Sequence, residues 1–120
     1  MALAFSWLTP EFATAGQIGT DDVAQAAAAG FRSIVNNRPD FEGGASQPTS
    51  QAIEQAAKAA GLEYAFLPVQ SGYQSPEEIA QMRALLDKLP TPVLAYCRSG
   101  ARTANLFMAA KGARARSGDK

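Results

Sequence analysis

Three times along this chain a helical pattern closes at a glycine or a proline and gives way to a short apolar run. Thr20 reads as the N-cap of the first helix, with Asp21 and Asp22 in its first turn. Val23, Ala26 and Ala27 share its apolar face, and Gly30 ends it. Phe31 to Asn36 follows as a strand centred on Ile34 and Val35. Pro48-Thr49-Ser50 opens the second helix, with Ile53, Ala56, Ala57 and Ala60 on one face and Glu54 paired with Lys58 at i,i+4. Gly61 stops it, and Leu62 to Leu67 is the next strand. Ser75 caps the third helix, Pro76 takes its first position, and Ile79, Met82, Leu85, Leu86 and Leu89 form its apolar stripe. Val93 to Tyr96 is again a strand, and a further helical pattern begins at Ala104. Shorter edge strands are expected near Leu3–Ser6 and Phe12–Thr14.

Strands alternating with helices are buried on both faces only when they form a parallel sheet between two helical layers. The expected fold is therefore α/β and three-layered, a mostly parallel sheet with helices on both faces. One domain is expected over residues 1–112, with a flexible, solvated tail at 113–120. Ligands of such sheets bind beyond the carboxyl ends of the strands. Three loops are expected to meet there: Asn37-Arg38-Pro39-Asp40, Gln70-Ser71-Gly72-Tyr73, and the segment after Tyr96.

That last segment holds the chemistry. Cys97, the only cysteine, ends the apolar run, and Arg98-Ser99-Gly100-Ala101-Arg102-Thr103 leads into the helix. Backbone N–H groups converge in a loop of this kind, and the helix adds its positive end. Both favour a thiolate over a thiol whose free pKa is about 8.5, so Cys97 is the candidate nucleophile. Arg102 is the better anion binder, because guanidinium makes paired bonds to an oxyanion; its alternative role is to pin the loop through backbone carbonyls. Arg98, Ser99, Gly100, Ala101 and Thr103 complete the candidate anion-binding loop, and Arg38 faces it from its own loop. Ser99 and Thr103 equally suit helix caps, Thr103 also suits stabilising the thiolate, and Arg38 equally suits an ion pair with Asp40 or Glu42.

Composition removes other chemistries. There is no histidine, which excludes Cys-His and Ser-His-Asp catalysis and His-ligated metals. One cysteine builds neither a disulfide nor a zinc site, and no acidic cluster has calcium-loop spacing. No metal and no cofactor is expected. The formal net charge is zero, which gives no support to nucleic-acid or anionic-membrane binding. No apolar run approaches the roughly 18 residues of a membrane span, and the first ten residues lack a signal peptide's basic region. A cytoplasmic protein is expected.

Five stretches together resemble one bacterial family: S-W-L-T-P-E-F with Gly16-Gln17, G-F-R-S-I-V-N-N-R-P-D from Gly30 to Asp40, A-A-G-L-E-Y from Ala59 to Tyr64, and P-V-L-A-Y running into C-R-S-G-A-R-T. They resemble the phosphatase-like domain of the beta-lactamase-hydrolase-like proteins, over roughly residues 9 to 110. The resemblance implies a cysteine-phosphatase-like fold and a reactive Cys97. Some members of the family are fused to a metallo-hydrolase that works on persulfides, which implies a link to persulfide processing.

Within that resemblance three departures favour sulfur transfer. Cysteine phosphatases have five residues between Cys and Arg; here four separate Cys97 from Arg102, as in rhodanese-type loops, and Thr103 takes the usual arginine position. The stretch from Leu67 to Tyr73 holds no carboxylate to protonate a leaving alcohol, leaving Asp40 as the candidate acid. Tyr96 stands where phosphatases usually have histidine. The expected activity is therefore transfer of sulfane sulfur through a Cys97 persulfide, from a small anionic or persulfide donor to a low-molecular-weight thiol. The alternatives are phosphate hydrolysis through phosphocysteine and a non-catalytic anion- or persulfide-sensing module.

Overall fold

The structure is a computed structural model that describes residues 3–118, with side chains described from Leu3 to Gly112. Five strands make one sheet: β1 (Ser6–Thr9), β2 (Phe12–Ala15), β3 (Ser33–Asn36), β4 (Glu63–Phe66) and β5 (Val93–Tyr96). Their order across the sheet is β1-β2-β5-β3-β4. Only β1 is antiparallel to its neighbour; β2, β5, β3 and β4 run parallel. The registers align Ala15, Tyr96, Asn36 and Phe66 at one edge, so four chain segments leave the sheet side by side.

Period-two alternation sorts the strand residues between two helical layers. Ala13, Ile34, Leu94 and Tyr96 pack with α1 (Thr20–Ala28) and α2 (Ser50–Ala59), through Val23, Ala26, Ile53 and Ala57. Phe12, Val35, Val93 and Ala95 pack on the other face with α3 (Pro76–Lys88) and α4 (Ala101–Gly118), through Met82, Leu106, Phe107 and Ala110. All four residues of β5 are buried, as its central position requires. Phe12 stacks on Phe107 with centroids 4.0 Å apart. The three-layer α/β architecture is thus the expected one, and no described helix is long and apolar enough to cross a membrane.

Three local readings change. The first edge strand is Ser6–Thr9, not Leu3–Ser6, because Thr9 Oγ1 accepts the Glu11 N–H at 3.0 Å and closes a tight hairpin onto Phe12. Leu3 and Phe5 pack against the α1–α2 side of the core instead. The N-cap of α1 is Gly19, not Thr20: the Asp22 carboxylate accepts the Gly19 N–H at 2.8 Å, closing the first turn without the Thr20 hydroxyl. The backbone of α4 continues through 113–118, where a tail was expected, and 119–120 lie outside the described residues. The third helix starts as read, with Ser75 and Glu78 bonded reciprocally and Pro76 at the first position.

Leu94 sits fully buried at the middle of the sheet, between β2 and β3. Leu94→Ala is expected to destabilise the fold by about 2–5 kcal/mol through lost burial and a residual cavity. A urea titration checks this: the midpoint should fall while the slope stays constant.

Candidate functional site

The site grows out of the carboxyl end of β5. The Cys97 N–H makes a last bond to Ala15 O at 3.4 Å, and the Asn37 N–H donates to Tyr96 O at 2.9 Å. The chain then turns sharply. Gly100 has φ +93°, and a Cβ there would lie 3.3 Å from the Ala15 carbonyl oxygen, so the position needs glycine twice over. On the facing loop, a Cβ on Gly16 would lie 3.0 Å from Arg98 O, and the Gln17 N–H donates to that same oxygen at 3.1 Å. The β2–α1 loop therefore clamps the Cys97 loop from the side, and α4 begins at Ala101.

Within this clamp the Gly100 N–H donates to Cys97 Sγ at 3.1 Å. Burial is the largest influence on the thiol and pushes its pKa up. The backbone N–H groups of Thr103, Ser99 and Gly100 act together in the other direction, and the net pKa lies below the ordinary thiol value. The Thr103 hydroxyl also favours the thiolate. Its single proton, however, is donated to Asn37 Oδ1 at 3.0 Å, and Asn37 is oriented by donating its own amide to Leu67 O at 2.9 Å. The backbone amides therefore carry most of the stabilisation.

Arg102 is buried behind the loop. Its Nη1 donates to Val69 O at 2.9 Å and to Glu42 Oε2 at 3.0 Å, and its Nη2 to Glu42 Oε1 at 3.0 Å. Its Nε–H is buried with no partner. Glu42 also accepts from Arg38 Nε at 2.9 Å, and Arg38 Nη1 donates to Gln17 Oε1 at 3.0 Å. One carboxylate thus bridges two guanidinium groups. The Arg102 bonds, aided by Arg38, overcome its partial burial and lower the Glu42 pKa, so it stays ionised.

Two adjoining cavities, of about 480 and 610 Å³, lie over this arrangement and share Ser71, Arg98 and Arg102. The first is lined by Cys97, Ser99 and Ala101, with Gln74 and Asn105; the second by Arg38, Glu42 and Gly43. A more apolar cavity of about 720 Å³ lies at the opposite end of the strands, lined by Pro10, Val93 and Phe107 among others, away from Cys97.

The expected loop residues thus converge: Cys97, Arg98, Ser99, Ala101 and Arg102 line one cavity, Gly100 bonds the sulfur, Thr103 stands behind it, and Arg38 lines the second cavity. Asp40 is engaged elsewhere. Its Oδ1 accepts the Ser50 N–H at 2.7 Å at the start of α2, and it lines neither cavity. Tyr73 is exposed and lines neither cavity. Tyr96, in the usual histidine position, is fully buried; burial raises its pKa far above the ordinary phenol value. Its hydroxyl lies near Tyr64 and Gln17 without reaching hydrogen-bond geometry with either. Sequence reasoning brought the Ser71 loop to the site without giving Ser71 a role, missed Gln74 and Asn105, and saw Glu42 only as a partner of Arg38. Its partnership with Arg102 spans 60 residues and has no local signal.

Ionisation of Cys97 stabilises the fold above the unfolded thiol's pKa, and that contribution is lost as pH falls through the folded value. Alkylation by iodoacetamide should accordingly show a midpoint below that of free cysteine. Gly100→Ala should move the midpoint upward, since the strained loop can no longer aim its N–H at the sulfur. A midpoint at or above the free value in the unaltered chain would contradict the electrostatic account.

The family described as beta-lactamase hydrolase-like protein, phosphatase-like domain, matches residues 4–114, and the chain belongs to it. A beta-lactamase hydrolase-like protein of Xylella fastidiosa is 35% identical over 100 residues, covering 83% of this chain and 23% of that protein. The chain therefore spans about a quarter of the length of the curated relatives it matches. A candidate phosphatase of known structure from Neisseria meningitidis is 32% identical, with a TM-score of 0.78 over 85% of this chain and 72% of its own. Another candidate phosphatase, from Shewanella putrefaciens, superposes with a TM-score of 0.79 at 18% identity, over 96% of this chain and 71% of its own, which shows the shared fold. The same fold recurs, at 13% identity and a TM-score of 0.62, in a kinase associated phosphatase whose catalytic site holds a cysteine. The chain is thus a phosphatase-like domain with a cysteine-phosphatase fold.

Proposed function

We propose that this family member is a cysteine-dependent phosphatase, with Cys97 as nucleophile and Arg102 as the principal anion-binding side chain. One observation carries the reading: a thiol whose Sγ accepts the Gly100 N–H sits at the start of α4, beside a buried arginine with an unpartnered Nε–H. The thiolate attacks phosphorus and forms phosphocysteine as the leaving oxygen departs. Loop amides and Arg102 Nε take the charge that builds on the equatorial oxygens. Water then cleaves the S–P bond and restores the thiolate. Arg98 at the exposed rim guides the anion in, and Ser99, Gly100, Ala101 and Thr103 hold it. Arg38 acts one step back, through Glu42.

This places phosphate hydrolysis ahead of sulfur transfer, which the sequence alone favoured. The phosphatase fold and the phosphatase-like relatives support the change. Sulfur transfer stays as the second reading on a specific observation: four residues, not five, separate Cys97 from Arg102. A thiol acceptor and a link to persulfide chemistry belong to that reading, and cytoplasmic placement suits both.

Hydrolysis of p-nitrophenyl phosphate should be lost in Cys97→Ser and fall on the order of a hundredfold or more in Arg102→Ala. Mass spectrometry of acid-quenched protein should find one phosphoryl group on Cys97. A persulfide on Cys97 after thiosulfate, with no phosphate release, would instead select sulfur transfer. Neither adduct, with anion binding intact, would indicate a sensing module.

A further inference from the structure

The cavity over Cys97 opens beside a second one that shares Ser71, Arg98 and Arg102 with it. The walls of the second include three guanidinium groups, Arg38, Arg98 and Arg102, against one carboxylate, Glu42. Glu42 engages Arg38 and Arg102, whereas Arg98 forms no ion pair among the described residues. The pocket therefore keeps an excess of positive charge, with the Ser71 side chain beside it. Arg102 is common to both cavities, and its buried Nε–H lacks an acceptor.

The lining of the Cys97 cavity contains no carboxyl group among the described residues. The one carboxyl in the adjoining cavity, Glu42, is held ionised by two arginines. A leaving alkoxide needs a proton in the transition state. A leaving phosphate does not, because it is stable as an anion at neutral pH.

We infer that the substrate is a phosphoanhydride, its terminal phosphoryl group over the Cys97 loop and its leaving phosphate between Arg98 and Ser71. This rests on the phosphatase reading of the same site and specifies the leaving group. The S–P bond forms at Cys97 as the bridging P–O bond breaks. The electron pair goes to the bridging oxygen, which becomes a terminal oxygen of the departing phosphate. Water then attacks phosphocysteine, the S–P pair returns to sulfur as thiolate, and the proton of water leaves with orthophosphate.

The test compares three substrates on the full chain: magnesium-free inorganic pyrophosphate, glycerol phosphate and p-nitrophenyl phosphate. The kcat/KM for pyrophosphate should exceed that for glycerol phosphate by about a hundredfold, the usual scale of general-acid assistance an alkyl ester would lack. Arg98→Ala should lower kcat/KM for pyrophosphate about tenfold more than for p-nitrophenyl phosphate, the loss of one charge-assisted hydrogen bond. Arg98 is exposed, so its removal should leave the fold intact, as circular dichroism will check. Cys97-dependent hydrolysis of p-nitrophenyl phosphate with no preference for pyrophosphate over glycerol phosphate would overturn the inference and leave the phosphatase reading standing. An equal effect of Arg98→Ala on both substrates would also overturn it. Turnover of none of the three would remove the phosphatase reading itself.

Discussion

The Glu42 carboxylate holds the site together. It accepts two bonds from Arg102 on α4 and one from Arg38 on the β3–α2 loop. Arg102 in turn anchors the Val69 carbonyl of the β4–α3 loop, and Arg38 anchors Gln17 of the β2–α1 loop. Four segments that leave the sheet side by side are thereby tied to one anion. Paired, charge-assisted bonds at a buried arginine are stronger and more directional than a surface ion pair, such as the exposed Glu54–Lys58 pair on α2. Without Glu42, a buried guanidinium would lose its counter-charge, at a cost far above that of an exposed pair.

The thiol depends on this scaffold indirectly. A sulfur at the end of a fully buried strand would, by desolvation alone, hold its proton more tightly than a free cysteine. Converging amides reverse that tendency, and they converge only because Gly100 takes a left-handed backbone conformation against the Ala15 carbonyl. The backbone that activates the nucleophile also leaves room for an anion above it. Arg102, held from one side by Glu42, keeps an N–H in reserve. Binding and activation are thus two uses of one loop geometry.

Much of the architecture was legible because it is local. Ser75, Pro76 and Glu78 start α3 through bonds within one turn, and Val93 to Tyr96 is apolar throughout because both of its faces are covered. Errors arose where two local solutions competed. Thr20 is a good cap residue, yet Asp22 closed the turn onto Gly19. Asp40, a possible substitute for the carboxylate missing from Leu67–Tyr73, accepts the Ser50 N–H at the start of α2.

Residue types and their spacing determined the α/β class, the place of Cys97 at a strand end and the exclusion of histidine chemistry. Each follows from periodicity or composition, which need no knowledge of distant neighbours. Only the tertiary structure decided what the charged side chains do. It paired Glu42 with an arginine 60 residues away, brought Ser71 beside Arg98, and divided the space above the sheet into two connected cavities. The physical reason is that charge pairing is decided by distance in space. Strand order sets that distance, and the insertion of β5 between β2 and β3 is a choice that no short stretch of sequence records.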